Sequence, residues 1–160
     1  MVRLRRLNHA FLSVRDLKSS VAFYHDVLGM LPVATMGDDK VFLRAPGSEN
    51  HHDLGLGAVG TAAPSPEPGS TGLFHLAWEV ETIEDIAEAN EALVASGAFL
   101  RATDHSISKS VYGSDPDGNG FEITWFVPRS AWPSGAENSA VSRPLDLARE
   151  LERFGARTGI

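Results

Sequence analysis

The chain has 160 residues, enough for one domain with a real core or for two fused half-size modules. A net charge of −7 argues against a nucleic-acid partner, which needs a basic face; the Arg3, Arg5 and Arg6 cluster is too small to reverse that. There is no cysteine, which excludes thiolate sites, Fe–S clusters and disulfides, so any metal must be held by His, Asp, Glu or other oxygen donors. No apolar run reaches spanning length and no charged start leads into an apolar signal segment, so no membrane partner and a cytoplasmic location are expected.

Residues 7–14 read as a strand in which His9, Phe11 and Ser13 point one way and Ala10, Leu12 and Val14 the other. Asp16 is a good helix N-cap, and Leu17, Val21, Tyr24 and Leu28 then recur at helical spacing until Gly29. Tyr24 and His25 on this helix read as a packing and a surface residue. Two short strands follow at about 31–35 and 40–43. Residues 50–57 carry a fourth, with His52, Leu54 and Leu56 on one face and Asp53 opposite. The stretch 59–72, rich in proline and glycine and poor in apolar residues, is a linker.

The pattern then restarts. Residues 73–80 form a strand with His75 at the third position, as His9 is in the first. Thr82 and Asp85 make a capping-box start, and Ile83, Ile86, Asn90, Leu93 and Val94 run at helical spacing to Gly97. A short strand near 99–101 leads to a hairpin whose turn, Asp115-Pro-Asp-Gly-Asn-Gly120, is dense in turn-forming residues. On the returning strand Phe121, Ile123, Trp125 and Val127 share one face, and Glu122, Thr124 and Phe126 the other. Lys109 is expected to face solvent. The remainder, 128–160, is a loop followed by a helix over 144–154 with Leu147, Leu151 and Phe154 on one side.

Strand–helix–glycine thus occurs twice, giving two β-α-β-β-β units, 1–58 and 73–127. One unit is too small to bury both its helix and its sheet, so the two should pack into one α+β domain over 1–127. Helices cover one face of each sheet. Parity assigns the other face, carrying His9, His75 and Glu122, to a concave interior. Two imidazoles and one carboxylate with coordination positions left open form the facial triad of non-haem Fe(II) oxygen chemistry, and Zn(II), Ni(II) or Mn(II) can use the same ligands.

This doubled layout, with a histidine in the first strand of each unit and the 115–122 turn ending in Glu122, resembles the vicinal oxygen chelate superfamily. Glyoxalase I, fosfomycin-resistance proteins, bleomycin-binding proteins and type I extradiol dioxygenases belong to it. The likeness covers 7–127 and implies that the two modules pair into a barrel-like sheet around a concave metal site. Within the superfamily the motifs resemble extradiol dioxygenases most. His52-Asp-Leu-Gly-Leu, His105-Ser-Ile-Ser and Tyr112 are similar to that branch's acid–base and substrate-binding groups. The resemblance implies that His9, His75 and Glu122 bind one divalent metal, Fe(II) foremost. It implies a catechol-like diol and O₂ as substrates, with His52 or Tyr112 holding the deprotonated diol and His105 stabilising bound oxygen and delivering a proton. His105 and Tyr112 differ in strand parity, so a bulge or corner must bring both to the site. This chain has two units where many members have four.

Two alternatives follow from the same resemblance. A glyoxalase-like isomerase or lyase takes a fourth protein ligand, usually a Glu, at the end of its first unit, where apolar residues stand around Leu54 and Leu56. A metal-free, bleomycin-type binding protein uses an aromatic cleft, which Trp78, Trp125 and Trp132 could supply, but it does not need the triad. Free sheet edges and the apolar stripe of the C-terminal helix lead us to expect a homodimer.

Overall fold

The computed structural model describes residues 1–65, 67, 69–136 and 141–156. Pro66 and Pro68 of the linker, and residues 137–140 and 157–160 of the tail, lie outside the described residues. The chain forms two compact units, 1–69 with 116–118, and 70–115 with 119–160.

In the first unit, β1 (Ala10–Val14) leads into α1 (Leu17–Asp26), then β2 (Leu31–Met36), β3 (Lys40–Arg44) and β4 (Leu54–Ala58). The sheet order is β1-β4-β3-β2, parallel between β1 and β4 and antiparallel elsewhere. Asp16 caps α1 by accepting from the Ser19 N–H at 2.7 Å. Leu12, Val14, Leu43, Leu54 and Leu56 are buried on one face, with Tyr24 and Ser20 of α1 also buried. Arg15 reaches Asp117, Nε to Oδ1, at 2.5 Å.

In the second unit, β5 (Leu76–Glu79) leads into α2 (Ile83–Ser96), then β6 (Phe99–Asp104), β7 (Ser108–Ser114) and β8 (Gly120–Phe126). Thr82 and Asp85 close the expected capping box, and Gly97 ends the helix in the left-handed region at φ 74°. Ile83, Ile86 and Leu93 of α2 are buried, as are Val111, Phe121, Ile123 and Trp125 of the sheet. The hairpin turn is tied by Asp115, whose carboxylate accepts from the Asn119 backbone N–H at 2.8 Å and its side-chain amide at 2.9 Å.

The C-terminal segment completes this unit. The helix expected over 144–154 begins at α3 (Leu147–Phe154), because Asp146 caps it and Arg143–Pro144 form a short edge strand, β9. The sheet order is β5-β8-β7-β6-β9. Phe154 packs edge-on against Trp125 with ring centroids 5.3 Å apart. Lys109, expected at the surface, is 2% exposed instead. Its ammonium lies 2.5 Å from Asp104 and 3.6 Å from Glu150 of α3, so the tail supplies part of the charge that makes burial affordable.

Among the described residues the strands form two mixed sheets of four and five strands, with no closed barrel. The α+β class and the two repeated units stand. No helix among the described residues is long and apolar enough to cross a membrane.

Candidate functional site

The second unit gathers most of the candidate residues in one lane across its sheet. Strand register sets Arg101 of β6 opposite Tyr112 of β7, Tyr112 opposite Glu122 of β8, and Glu122 opposite Ala77 of β5. His75 lies one residue before β5, on the parity of Ala77. Its Nε2 is 3.0 Å from Glu122 Oε2. The other carboxylate oxygen accepts from the Tyr112 hydroxyl at 2.8 Å. That hydroxyl lies 2.9 Å from His105 Nε2, and His105 Nδ1 is 2.7 Å from the Val141 carbonyl oxygen. One continuous chain of polar contacts therefore runs Val141–His105–Tyr112–Glu122–His75.

The corner that parity required lies at 105–107, between β6 and β7. Ser106 adopts a left-handed conformation with φ 73°, and its N–H donates to Asp104 Oδ1 at 2.7 Å. The reversal turns His105 onto the Tyr112 face. Burial pushes the Tyr112 phenol up to about 12, reinforced by its hydrogen bond to Glu122 and by that carboxylate's charge; the Arg101 guanidinium, 3.8 Å over the ring, opposes the shift. Reading the sequence singled out no role for Arg101. Arg101 joins the lane through the pairing of β6 with β7, a register that the pattern of residues 99–101 does not set by itself.

Gly120 keeps this lane closed. A Cβ there would stand 2.7 Å from the Phe74 carbonyl oxygen, so only glycine lets β8 approach the backbone that presents His75.

The first unit holds the other two histidines. His9, exposed and one residue before β1, has its ring centroid 4.5 Å from that of His52. His52 also packs on Phe42 at 4.7 Å, and its Nδ1 is 3.0 Å from that of His51. Burial lowers the His52 pKa, and the neighbouring His9 and His51 lower it further. His52 precedes β4, so strand parity does not govern it.

Parity also has to be corrected within β4. Leu54 and Leu56 face the buried core, and the face shared with Phe11 carries Gly55 and Gly57. The register makes the equivalence explicit. Two residues after His75, Ala77 pairs with Glu122; two residues after His9, Phe11 pairs with Gly55. The first unit's counterpart of the Glu122 position is therefore a glycine, covered by the Phe11 ring. The nearby Asp53 is committed elsewhere. Burial would raise its pKa, but bonds from the Ala45 N–H, Ser48 and Asn50 hold it below the usual carboxylate value.

The candidates thus fall into two groups, His9 with His52, and His75 with Glu122, Tyr112 and His105. Among the described residues, no group of three or more His, Asp or Glu side chains is arranged to hold a metal ion. The His75–Glu122 pair fits one: two ligands each about 2.1 Å from an ion and at right angles lie about 3 Å apart. The donors are one imidazole nitrogen and one carboxylate oxygen, which suit a divalent transition metal.

The described residues thus form two β-α-β-β-β units, each a mixed sheet with a flanking helix, the second extended by β9 and carrying the His75–Glu122 pair. Residues 6–123 match the Glyoxalase/Bleomycin resistance protein/Dioxygenase superfamily, and the chain belongs to that family. It is 32% identical over 151 residues to a catechol-2,3-dioxygenase of Bacillus subtilis, covering 93% of this chain and 52% of that protein. It is 29% identical to a manganese-dependent 2,3-dihydroxybiphenyl 1,2-dioxygenase of Geobacillus genomosp. 3, covering 84% and 41%. The chain thus spans about half the length of these curated relatives. Among solved structures, a glyoxylase/bleomycin resistance protein/dioxygenase domain from Frankia sp. EAN1pec shares the fold, with TM-score 0.67 and 24% identity over 78% of this chain and all of that one.

Proposed function

We propose that the chain is a metal-dependent extradiol dioxygenase that cleaves the ring of a catechol-type diol with O₂. His9, His75 and Glu122 bind its one divalent metal, Fe(II) foremost, with Mn(II) next. The observation that carries this reading is the contact chain from His75 and Glu122 through Tyr112 to His105, which joins a metal-type pair to an acid–base pair. The likeness to a catechol-2,3-dioxygenase supports it. The glycine at position 55 favours it over a glyoxalase-like isomerase, because it leaves no carboxylate for a fourth ligand.

When bound, the metal supplies Lewis acidity to a chelating diol and an electron path to O₂. The protein's residues do the rest. Glu122 is oriented by the Tyr112 hydroxyl, which fixes one oxygen and leaves the other toward His75. Tyr112 stays a neutral phenol through the working pH range and so remains a hydrogen-bond donor. His52, biased toward its neutral form, is suited to accept a proton from the diol. His105, backed by Val141 and facing Tyr112, is placed to hold and move a proton at Nε2.

The test is anaerobic Fe(II) loading and a screen against catechols on admitting O₂, reading the yellow ring-fission product. Wild type should bind one metal per chain and turn over only with O₂. His9→Ala, His75→Ala and Glu122→Ala should each lose the metal. His105→Asn should retain it while turnover falls by about two to four orders of magnitude, the range for a lost general acid–base. Stoichiometric metal in all three alanine variants, or equal turnover without O₂, would sink the reading.

A further inference from the structure

Arg101 is a cation without an acid beside it. Its guanidinium carbon lies 3.8 Å from the centroid of the Tyr112 ring. Among the described residues no ion pair joins it to an Asp or Glu, whereas Arg15 and Arg143 each face an aspartate. A ring face attracts the charge but cannot accept the two parallel N–H bonds that a carboxylate takes from a guanidinium. The residue is exposed, so a ligand can reach it.

The lane places this cation on the sheet face of Glu122, two strands away, with Tyr112 between them. Neighbouring strands are about 4.8 Å apart, so the two backbones are separated by about 10 Å. Both side chains close that gap, since the Tyr112 hydroxyl meets Glu122 and the Tyr112 ring meets Arg101. A ring whose diol is chelated beside Glu122 and His75 therefore has Arg101 within reach of a substituent an atom or two beyond the ring. The next row along the sheet is also polar. Thr103, Ser110 and Thr124 pair across β6, β7 and β8 on the parity of Arg101, Tyr112 and Glu122. All three are buried, and the Ser110 hydroxyl donates to Thr124 Oγ1 at 2.9 Å. These hydroxyls offer no apolar bed for a second ring. An unpaired guanidinium gains nothing from a neutral substituent, whereas an anionic one turns its charge into an attraction.

We propose that Arg101 sets substrate choice: it pairs with a carboxylate borne by the catechol-type diol, so the site takes an anionic catechol in preference to a neutral one. For the diol and its cleavage this rests on the dioxygenase reading above. The guanidinium forms two charge-assisted N–H bonds to the carboxylate and keeps its contact with the Tyr112 ring. No proton moves in this pairing, because a ligand carboxylate is already ionised at neutral pH.

A matched pair of ligands isolates the charge. 3,4-Dihydroxyphenylacetate and its methyl ester share the diol and differ by one carboxylate. Calorimetry on the Fe(II)-loaded full chain without O₂ reads their affinity with no turnover. Wild type should bind the acid at least about tenfold tighter than the ester, the scale of one charge-assisted bond, and the ratio should fall as salt is raised. In Arg101→Met, which keeps an apolar stem against the Tyr112 ring, the ratio should fall to within about threefold of one, and Arg101→Lys should keep part of it. With O₂ admitted, the ratio of kcat/KM values for acid and ester should change in step, carried by KM. Equal affinity for acid and ester in wild type overturns the proposal. So does a ratio unchanged in Arg101→Met, which is what a merely structural arginine would give by weakening both ligands alike. If the acid binds through Arg101 and neither ligand is cleaved, the dioxygenase reading fails and the pairing stands. If neither ligand binds wild type, both fall.

Discussion

Lys109 shows how one buried charge shapes its neighbourhood. An ammonium 2% exposed persists only with partners, and Asp104 is the nearest. Burial by itself would raise the Asp104 pKa. The bonds from Lys109, Ser106 and Arg143 outweigh it and hold the carboxyl below its usual value. A depressed folded pKa contributes stability above the unfolded value of about 4, and that contribution is lost as pH falls through the folded value. Wild type should therefore lose stability below about pH 4. Asp104→Asn should be weaker at pH 7 by about 1.5–3 kcal/mol, the range for hydrogen bonds to charged groups, and should show a smaller further loss in acid. Urea unfolding at pH 7 and pH 3 checks this. An equal acid loss in both proteins would remove Asp104 as the cause. Lys109 also marks a limit of reading residues singly. Nothing local identifies it as buried, because its counter-ions are Asp104, five residues before it, and Glu150, 41 residues after it on α3.

Among the elements, β1 and β4 repay comparison with β5 and β8. The repeated order of elements, their caps and the matching positions of His9 and His75 were legible because each follows from local periodicity and from recurrence. Two features were not. The β9 strand is two residues long and exists only through its pairing with β6, which no local pattern encodes. The inward face of β4 was misassigned because parity was carried from His52 across a boundary where the chain is not yet a strand. The register places Gly55 and Gly57 under the Phe11 ring instead, where an added Cβ at position 57 would stand 2.8 Å from Phe11 Cε1 and one at position 55 would run into the ring. Gly55→Ala should cost about 1–3 kcal/mol, as overpacking does, and most of that should vanish in a Phe11→Ala background because the obstacle is a movable, half-exposed side chain. Gly120→Ala should cost more, since the Phe74 carbonyl oxygen it meets belongs to backbone. Denaturant unfolding of the double-mutant cycle measures the coupling. Independent effects of Gly55→Ala and Phe11→Ala would refute the close approach.

At the scale of the whole molecule, several large apolar side chains are exposed, and four of them lie at the starts of the two units. Leu7 and Phe11 are 77% and 47% exposed in the first, and Leu73 and Phe74 are 63% and 79% exposed in the second. Scattered exposed side chains are ordinary, but these flank the strand entries that carry His9 and His75, and pairs of large apolar groups in such places mark contact surfaces. Charge does not oppose association strongly, since −7 is modest for 160 residues and is screened beyond about 8 Å at physiological salt. The strand edge of β2 and that of β5 add unpaired backbone groups to the same account. We therefore predict a homodimer in solution, of the isologous kind usual for small chains. Light scattering at micromolar concentration should give twice the mass of one chain. Phe74→Ser, which removes the most exposed of the four aromatic and aliphatic groups, should shift the equilibrium toward monomer at the same concentration. A wild-type mass of a single chain, or a Phe74→Ser dimer as tight as wild type, would show that these surfaces do not meet a second copy.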